Sequence, residues 1–235
     1  MTEVYLSRLW LNPRNHRVRR EINDCHELHR TILSAFPNLE DKLKNARTEF
    51  GVLFRIEFNE RQGKVCLLVQ SKVKPNWNSL PEKYLMEDTE ESVSCKEISS
   101  SYTALPNGMP LMFRLKANPT KCVSAKNITE VSAKFVGKRV ELRKPDEQTD
   151  WLRNKSERHG FKLVSVKLTP EIADVSASPK SKITGIRANR KLTFGAVLFE
   201  GHLMITDAEK FRETLAEGIG QGKAYGFGLL SIARV

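Results

Sequence analysis

His26 and His29 stand three residues apart in the stretch Cys25-His26-Glu27-Leu28-His29-Arg30-Thr31. On a helix that spacing projects both imidazoles from nearly the same side. A helix N-terminus beneath them lowers imidazole basicity while it attracts an anion. Arg17, Arg19, Arg20 and Arg30 flank the pair. Two groups that give and take protons near neutral pH, ringed by guanidiniums, make an acid/base site suited to a phosphodiester. His29 also borders an apolar stripe, so from spacing alone a half-buried structural histidine is the competing account. Cys25 could serve as a nucleophile at the same N-terminus, but no orienting third residue accompanies it. His16, His159 and His202 are isolated and read as surface or turn residues.

Metal-dependent nucleases need carboxylates or histidines at ligand spacing, and neither Asp-x-Asp pairs nor His-x-x-Glu sets occur. No metal or other cofactor is therefore expected. Cleavage without metal points to RNA, whose 2′-hydroxyl attacks the adjacent phosphate once one group removes its proton and another protonates the departing 5′-oxygen. Cys25, Cys66, Cys95 and Cys122 are each separated by 27 residues or more. That excludes a paired-cysteine zinc site and a dense disulfide framework, and it suggests reduced thiols.

The charge balance agrees with a polyanionic partner. The 235 residues carry 39 Lys+Arg against 28 Asp+Glu, a formal charge of +11, which must lie on the surface and attract nucleic acid. The basic residues cluster at Arg14, Arg17, Arg19 and Arg20, at Lys138, Arg139, Arg143 and Lys144, and at Lys180, Lys182, Arg187, Arg190 and Lys191. A solvated face would account for any one of these clusters more easily than for all three. An acidic membrane surface would favour a basic amphipathic helix, and none is found. No run approaches the roughly twenty apolar residues of a membrane span, and the N-terminus is too short and charged for a signal peptide. The expectation is a cytoplasmic protein with no membrane partner.

The elements that must position the histidines follow from periodicity. Residues 4–11 favour a strand, and residues 12–20 read as a basic loop. Asp24 caps a helix with Glu27 as its reciprocal partner, Leu28, Ile32, Ala35 and Phe36 form its stripe, and Pro37 ends it. Phe50, Val52, Phe54, Ile56 and Phe58 alternate as a half-buried strand, Gln62-Gly63 turns the chain, and Val65, Leu67 and Val69 give the next strand. Prolines and polar residues over 74–110 hold the rest of this unit and a linker. A second unit opens with a strand at 111–117. A helix of about 14 residues runs from Pro145 to a C-cap at Gly160. Residues 161–168 read as a strand, and residues 192–199 with 202–206 as a hairpin turning at Glu200-Gly201. Asp207 caps a last helix ending near Glu217, and residues 229–235 form a final strand. Two ferredoxin-like, split βαβ units fit this order in an α+β fold, with domains at 1–105 and 106–235.

The stretch from Gly218 to Gly228 holds five of the thirteen glycines. Glycines let several N–H groups converge on one anion. A nucleotide loop runs from strand to helix, whereas the order here is helix, loop, strand. A small-molecule phosphate enzyme is thereby disfavoured. A cradle for a polymer phosphate and a tight helix-to-strand connection both stay open. The run Lys223-Ala224-Tyr225-Gly226-Phe227 is an incomplete match to the aromatic motif of RNA-recognition sheets.

Taken together, the helix start from Cys25 to Thr31, the run Met112-Phe113-Arg114-Leu115-Lys116-Ala117-Asn118-Pro119, Trp151-Leu152, Val197-Leu198-Phe199-Glu200-Gly201, and the glycine-rich ending through Leu229-Leu230-Ser231 resemble the CasE family. These are the CRISPR RNA-processing endoribonucleases of type I-E Cascade. The resemblance covers nearly the whole chain in order. It implies a metal-independent enzyme that binds the stem-loop of CRISPR repeat RNA and cuts at the 3′ base of the stem. The products are a 2′,3′-cyclic phosphate, or its opened form, and a 5′-hydroxyl. It also implies that the guide RNA is retained among other Cascade subunits.

The family's catalytic histidine falls on His29, as general acid for the leaving oxygen. Some relatives carry a tyrosine where this chain has His26, which leaves His26 as base, phosphate ligand or bystander. The resemblance places a basic hairpin of the second unit, residues 180–191, against the RNA, with Lys182, Arg187, Arg190 and Lys191 as contacts. The full RNA-binding set expected adds Arg19, Arg20, Arg30, Arg114, Lys116, Lys223 and the backbone at Gly218, Gly220 and Gly222. A non-catalytic subunit that only holds the RNA hairpin is the alternative function.

Overall fold

The computed structural model describes residues 3–39, 45–59, 61–87, 92–123, 136–166 and 169–235. Strand β1 (Tyr5–Leu11) buries Ser7, Leu9 and Leu11 on one face, and two helices follow it, α1 (His16–Asn23) and α2 (Cys25–Leu33). The short helix α3 (Ala46–Glu49) leads into β2 (Leu53–Asn59), which turns through Gly63 into β3 (Lys64–Ser71). Strand β4 (Val93–Glu97) closes the other edge. All pairings are antiparallel in the order β2-β3-β1-β4, the ferredoxin-like order. Leu9, Leu11, Leu28, Ile32, Phe54, Leu67 and Val69 fill the core beneath the helices.

Two readings of this half need correction. Residues 12–20 do not form a loop, because α1 begins at His16, where the Asn15 side chain accepts from the N–H groups of Arg17 and Val18. What holds this polar helix is burial of Val18 and Glu21, with the Tyr84 hydroxyl donating to Glu21 at 2.7 Å. The strand with perfect alternation from Phe50 starts only at Leu53. Phe50 caps α3, and Leu53 and Phe54 are both buried because β2 is covered on both faces.

Tyr102 of α4 (Ser99–Thr103) packs against a second core, and Leu105 just beyond the helix belongs to it. Strand β5 (Pro110–Ala117) is followed by a small ribbon of β6 (Thr120–Cys122) and β7 (Arg139–Glu141). Helix α5 (Pro145–Arg158) has Pro145 at its start and Gly160 at φ +73° just beyond its end. Next come β8 (Phe161–Leu163), the paired β9 (Ser165–Val166) and β10 (Thr169–Ala173), β11 (Val175–Arg187), β12 (Arg190–Ile205), α6 (Ala208–Glu217) and β13 (Leu230–Arg234). The order β11-β12-β5-β13, with β8 paired to the end of β12, repeats the first sheet.

The expected strand over 161–168 is broken at Val164, whose N–H donates to His202 O; positions 167 and 168 lie outside the described residues. The expected hairpin at Glu200-Gly201 is absent, and β12 runs unbroken through both residues. Gly201 is required there by contact rather than by turning, since a Cβ would fall 2.2 Å from Asp174 O. The chain reverses instead at Ala188 and Asn189, with φ of +47° and +59°.

Buried polar groups fix one sheet against the other. The Arg55 guanidinium of β2 donates to Leu229 O at 3.0 Å, Arg114 O at 3.3 Å and Ser231 Oγ at 2.9 Å, and it pairs with Glu57. Gln70 Nε2 donates to Leu215 O at 2.6 Å, while its Oε1 accepts from the Tyr102 hydroxyl. A buried charge so fully hydrogen-bonded specifies one docking geometry. Among the described residues no helix is long and apolar enough to cross a membrane.

Candidate functional site

Asp24 sets the start of α2, accepting from the N–H groups of His26 at 3.0 Å and Glu27 at 3.3 Å. The reciprocal half of the expected capping box is not made, because the Glu27 carboxylate binds Arg30 at 3.0 Å. From this first turn both imidazoles project toward the glycine-rich segment. The Tyr225 ring meets His26 edge-on at 6.4 Å and His29 at 6.2 Å between centroids. His29 lies nearly parallel to Phe54 at 6.5 Å. Phe194 of β12 stacks behind Tyr225 at 5.0 Å.

Burial first, then the neighbouring His26, Arg47 and Arg187, lower the His29 pKa from its usual 6.5 to about 4. In the free protein His29 is therefore neutral at pH 7, and a phosphate brought beside it restores basicity. We expect a nuclear magnetic resonance titration to place His29 near 4 in the free protein and to move it upward when an uncleavable RNA hairpin binds. A value near 6.5 without RNA would contradict the burial argument. The sign for stability follows from linkage. The unfolded chain takes up this proton below about 6.5 while the folded protein does so only near 4. The site therefore destabilises the fold as pH falls through that window, by about 3 kcal/mol at most, and contributes nothing above it.

Cys25 does not fit the nucleophile role. Burial and the adjacent Asp24 push its thiol up to about 11, whereas a nucleophile needs a thiolate.

The second half reaches the histidines through the β11–β12 hairpin. Thr184 Oγ1 donates to Asn23 O at 3.3 Å, and the Ile186 N–H donates to Asp24 Oδ1 at 3.4 Å. Between them Gly185 lies so close that a Cβ would sit 2.8 Å from Cys25 Sγ and 2.9 Å from Asp24 Oδ1. Asp24 thus caps the helix and anchors the hairpin at once. The docking brings Arg187 into the field of His29. Lys182, Arg190 and Lys191 stand exposed on the same hairpin.

The remaining expected residues are placed differently. Arg19 and Arg20 lie exposed on α1, and Arg30 is exposed but paired with Glu27. Arg114 is held by Glu57 at 3.2 Å and Glu200 at 2.6 Å. Lys116 is half-buried, and burial, Arg55 and Lys180 lower its pKa to about 8. Lys223 is half-buried too, and its pKa is lowered by burial and by Arg47.

The glycines serve packing. A Cβ on Gly218 would meet Gly228 O and Leu53, one on Gly220 would meet Trp151, and one on Gly222 would meet Phe227. The Gly218 N–H donates to Thr214 O at the end of α6. The tight-connection account therefore describes this segment better than a phosphate cradle. Gly222 and Gly226, at φ +76° and +85°, bracket the turn that presents Tyr225.

Sequence reasoning missed Tyr225, Phe194 and Arg47. Tyr225 lay inside a run already noted for its aromatics, whereas nothing local marked the other two. Among the described residues no three carboxylate, imidazole or thiol groups gather as a metal site would require. The chemistry this arrangement offers is proton transfer by two imidazoles beside a cationic surface.

Known proteins resemble the chain throughout. A family model described as CRISPR associated protein matches residues 4–234. The CRISPR-associated endoribonuclease Cse3 of Thermus thermophilus is 34% identical over 233 residues, covering 98% of this chain and 100% of that protein. The Cascade subunit CasE of Escherichia coli is 27% identical over 235 residues, covering 99% and 98%. The solved structure of Cse3 bound to a 19-nucleotide RNA aligns with a TM-score of 0.77 at 33% identity, over 99% of each chain.

Proposed function

The chain belongs to the CRISPR-associated CasE (Cse3) family of endoribonucleases, and from that premise we propose that it binds the stem-loop of CRISPR repeat RNA and cuts at the 3′ base of the stem without metal. The observation that carries this reading is the paired His26 and His29, held edge-on to one tyrosine, with a basic hairpin docked beside them. The 2′-hydroxyl oxygen forms a bond to the adjacent phosphorus as the bond from phosphorus to the 5′-oxygen breaks. His29, recharged by the phosphate, gives its proton to the departing oxygen, and His26 is the neighbouring imidazole for the proton of the 2′-hydroxyl. The products are a 2′,3′-cyclic phosphate and a 5′-hydroxyl. Arg187 and Lys182 offset phosphate charge, and the guide RNA stays bound beside the other Cascade subunits. In this reading residues 1–105 supply the histidines, residues 106–235 supply the hairpin, and the reaction takes place in the cytoplasm.

The test is a labelled repeat hairpin incubated with the protein in EDTA. A single cut with a cyclic-phosphate end supports the proposal. Affinity should fall linearly with salt on logarithmic axes, as counterion release requires. Tight binding with no cut in EDTA or in added magnesium favours the hairpin-holding alternative.

A further inference from the structure

The two sheets leave between them a cleft of about 580 Å³. Phe54 and Phe58 of β2 line one side, Lys116 of β5 and Lys180 of β11 the other, and Tyr225 stands at the end that meets the histidines. Lys116 lies opposite Leu198 of β12, and Lys180 lies opposite Ala196. Partners two residues apart on one strand share a face, so both ammoniums rise from the same side of the sheet.

Neither has a counter-charge among the described residues. Glu57, the carboxylate of the cleft, is held by Arg55 and Arg114, and Glu200 by Arg114. Among the described residues Lys116 and Lys180 form no ion pair. Two unpaired like charges, one of them half-buried, repel each other unless an anion lies between them. Phe58 is 58% exposed, an apolar ring surface open to stacking. The volume is that of a small-ligand site and admits no duplex.

We infer that this cleft is a subsite for the single-stranded RNA directly 3′ of the scissile bond, with Lys116 and Lys180 holding a backbone phosphate and Phe58 stacking a base. The inference rests on the reading that the cut falls at the 3′ base of a stem. The strand upstream of the cut is then paired, and the continuous strand downstream is the one free to enter a cleft that opens beside His29.

Binding is measured with hairpins carrying a 2′-deoxy nucleotide before the cut, which blocks cleavage while the protein stays native. The bare hairpin is compared with versions extended by three nucleotides on the 3′ side or on the 5′ side. The 3′ extension should tighten Kd by about tenfold and steepen the salt dependence by about 0.7 for each phosphate engaged. In Lys180→Gln, an exposed strand position, and in Lys116→Gln with Lys180→Gln, that gain should shrink to about twofold or less. Phe58→Ala should lose part of it. If the bare hairpin does not bind at all, the function itself is overturned. A bare hairpin that binds with no gain from the 3′ extension, or with an equal gain from the 5′ extension, overturns the subsite alone.

Discussion

His29→Ala should lower cleavage of the repeat hairpin by roughly 10³-fold, the scale of one general acid, while hairpin affinity should change by less than about twofold. The separation follows from where the residue sits. His29 is half-buried between Phe54 and Tyr225 and carries no charge in the free protein, so its removal deletes little of the field that attracts RNA. That field comes from exposed groups such as Lys182, Arg187, Arg190 and Lys191. Single-turnover cleavage and equilibrium binding, measured on the same RNA, check the two halves of the statement. Equal losses in both would mean that His29 anchors RNA rather than transferring a proton, and unchanged cleavage would remove it from the chemistry.

The second large effect is expected at a residue that carries no functional group. Gly185→Val places carbon where Cys25 Sγ, Asp24 Oδ1 and the His26 N–H already stand. The hairpin must lift, and the bonds from Thr184 and Ile186 to the start of α2 are lost with it. Arg187 then leaves the neighbourhood of His29. Cleavage should fall by roughly 10- to 100-fold, as misplaced catalytic geometry costs, and the His29 titration should move upward as a cation departs. Neither Asp24 nor Cys25 belongs to the two core clusters, so the melting temperature should change by only a few degrees. An unchanged His29 titration in a folded variant would show that the contact does not position the hairpin.

What was legible in the sequence was local. Asp24 as a cap could be seen because its partners are two and three residues away. The helix from Pro145 to Gly160 is bracketed by residues whose backbone preferences act at their own positions. What could not be seen depends on distant partners. Helix α1 is polar along most of its length and is held by a bond from Tyr84, sixty-three positions from Glu21. Gly201 reads as a turn because glycine usually marks one, and only the neighbouring chain at Asp174 shows that it serves close contact. The histidine pair was visible as spacing. Its aromatic surroundings were not, since Tyr225 and Phe194 arrive from the other half of the chain, and no periodicity encodes which ring will face which.

Because Asp24 both starts the histidine helix and receives the hairpin's Ile186 N–H, the reactive centre is not owned by either half of the molecule. The two halves repeat one architecture, yet they cannot be traded between relatives as modules. A chimaera would lack a working centre unless Asp24, Cys25 and the hairpin around Gly185 were inherited together. The site therefore lies at a seam between two units of like topology, where a change on one side is accommodated only by a matching change on the other.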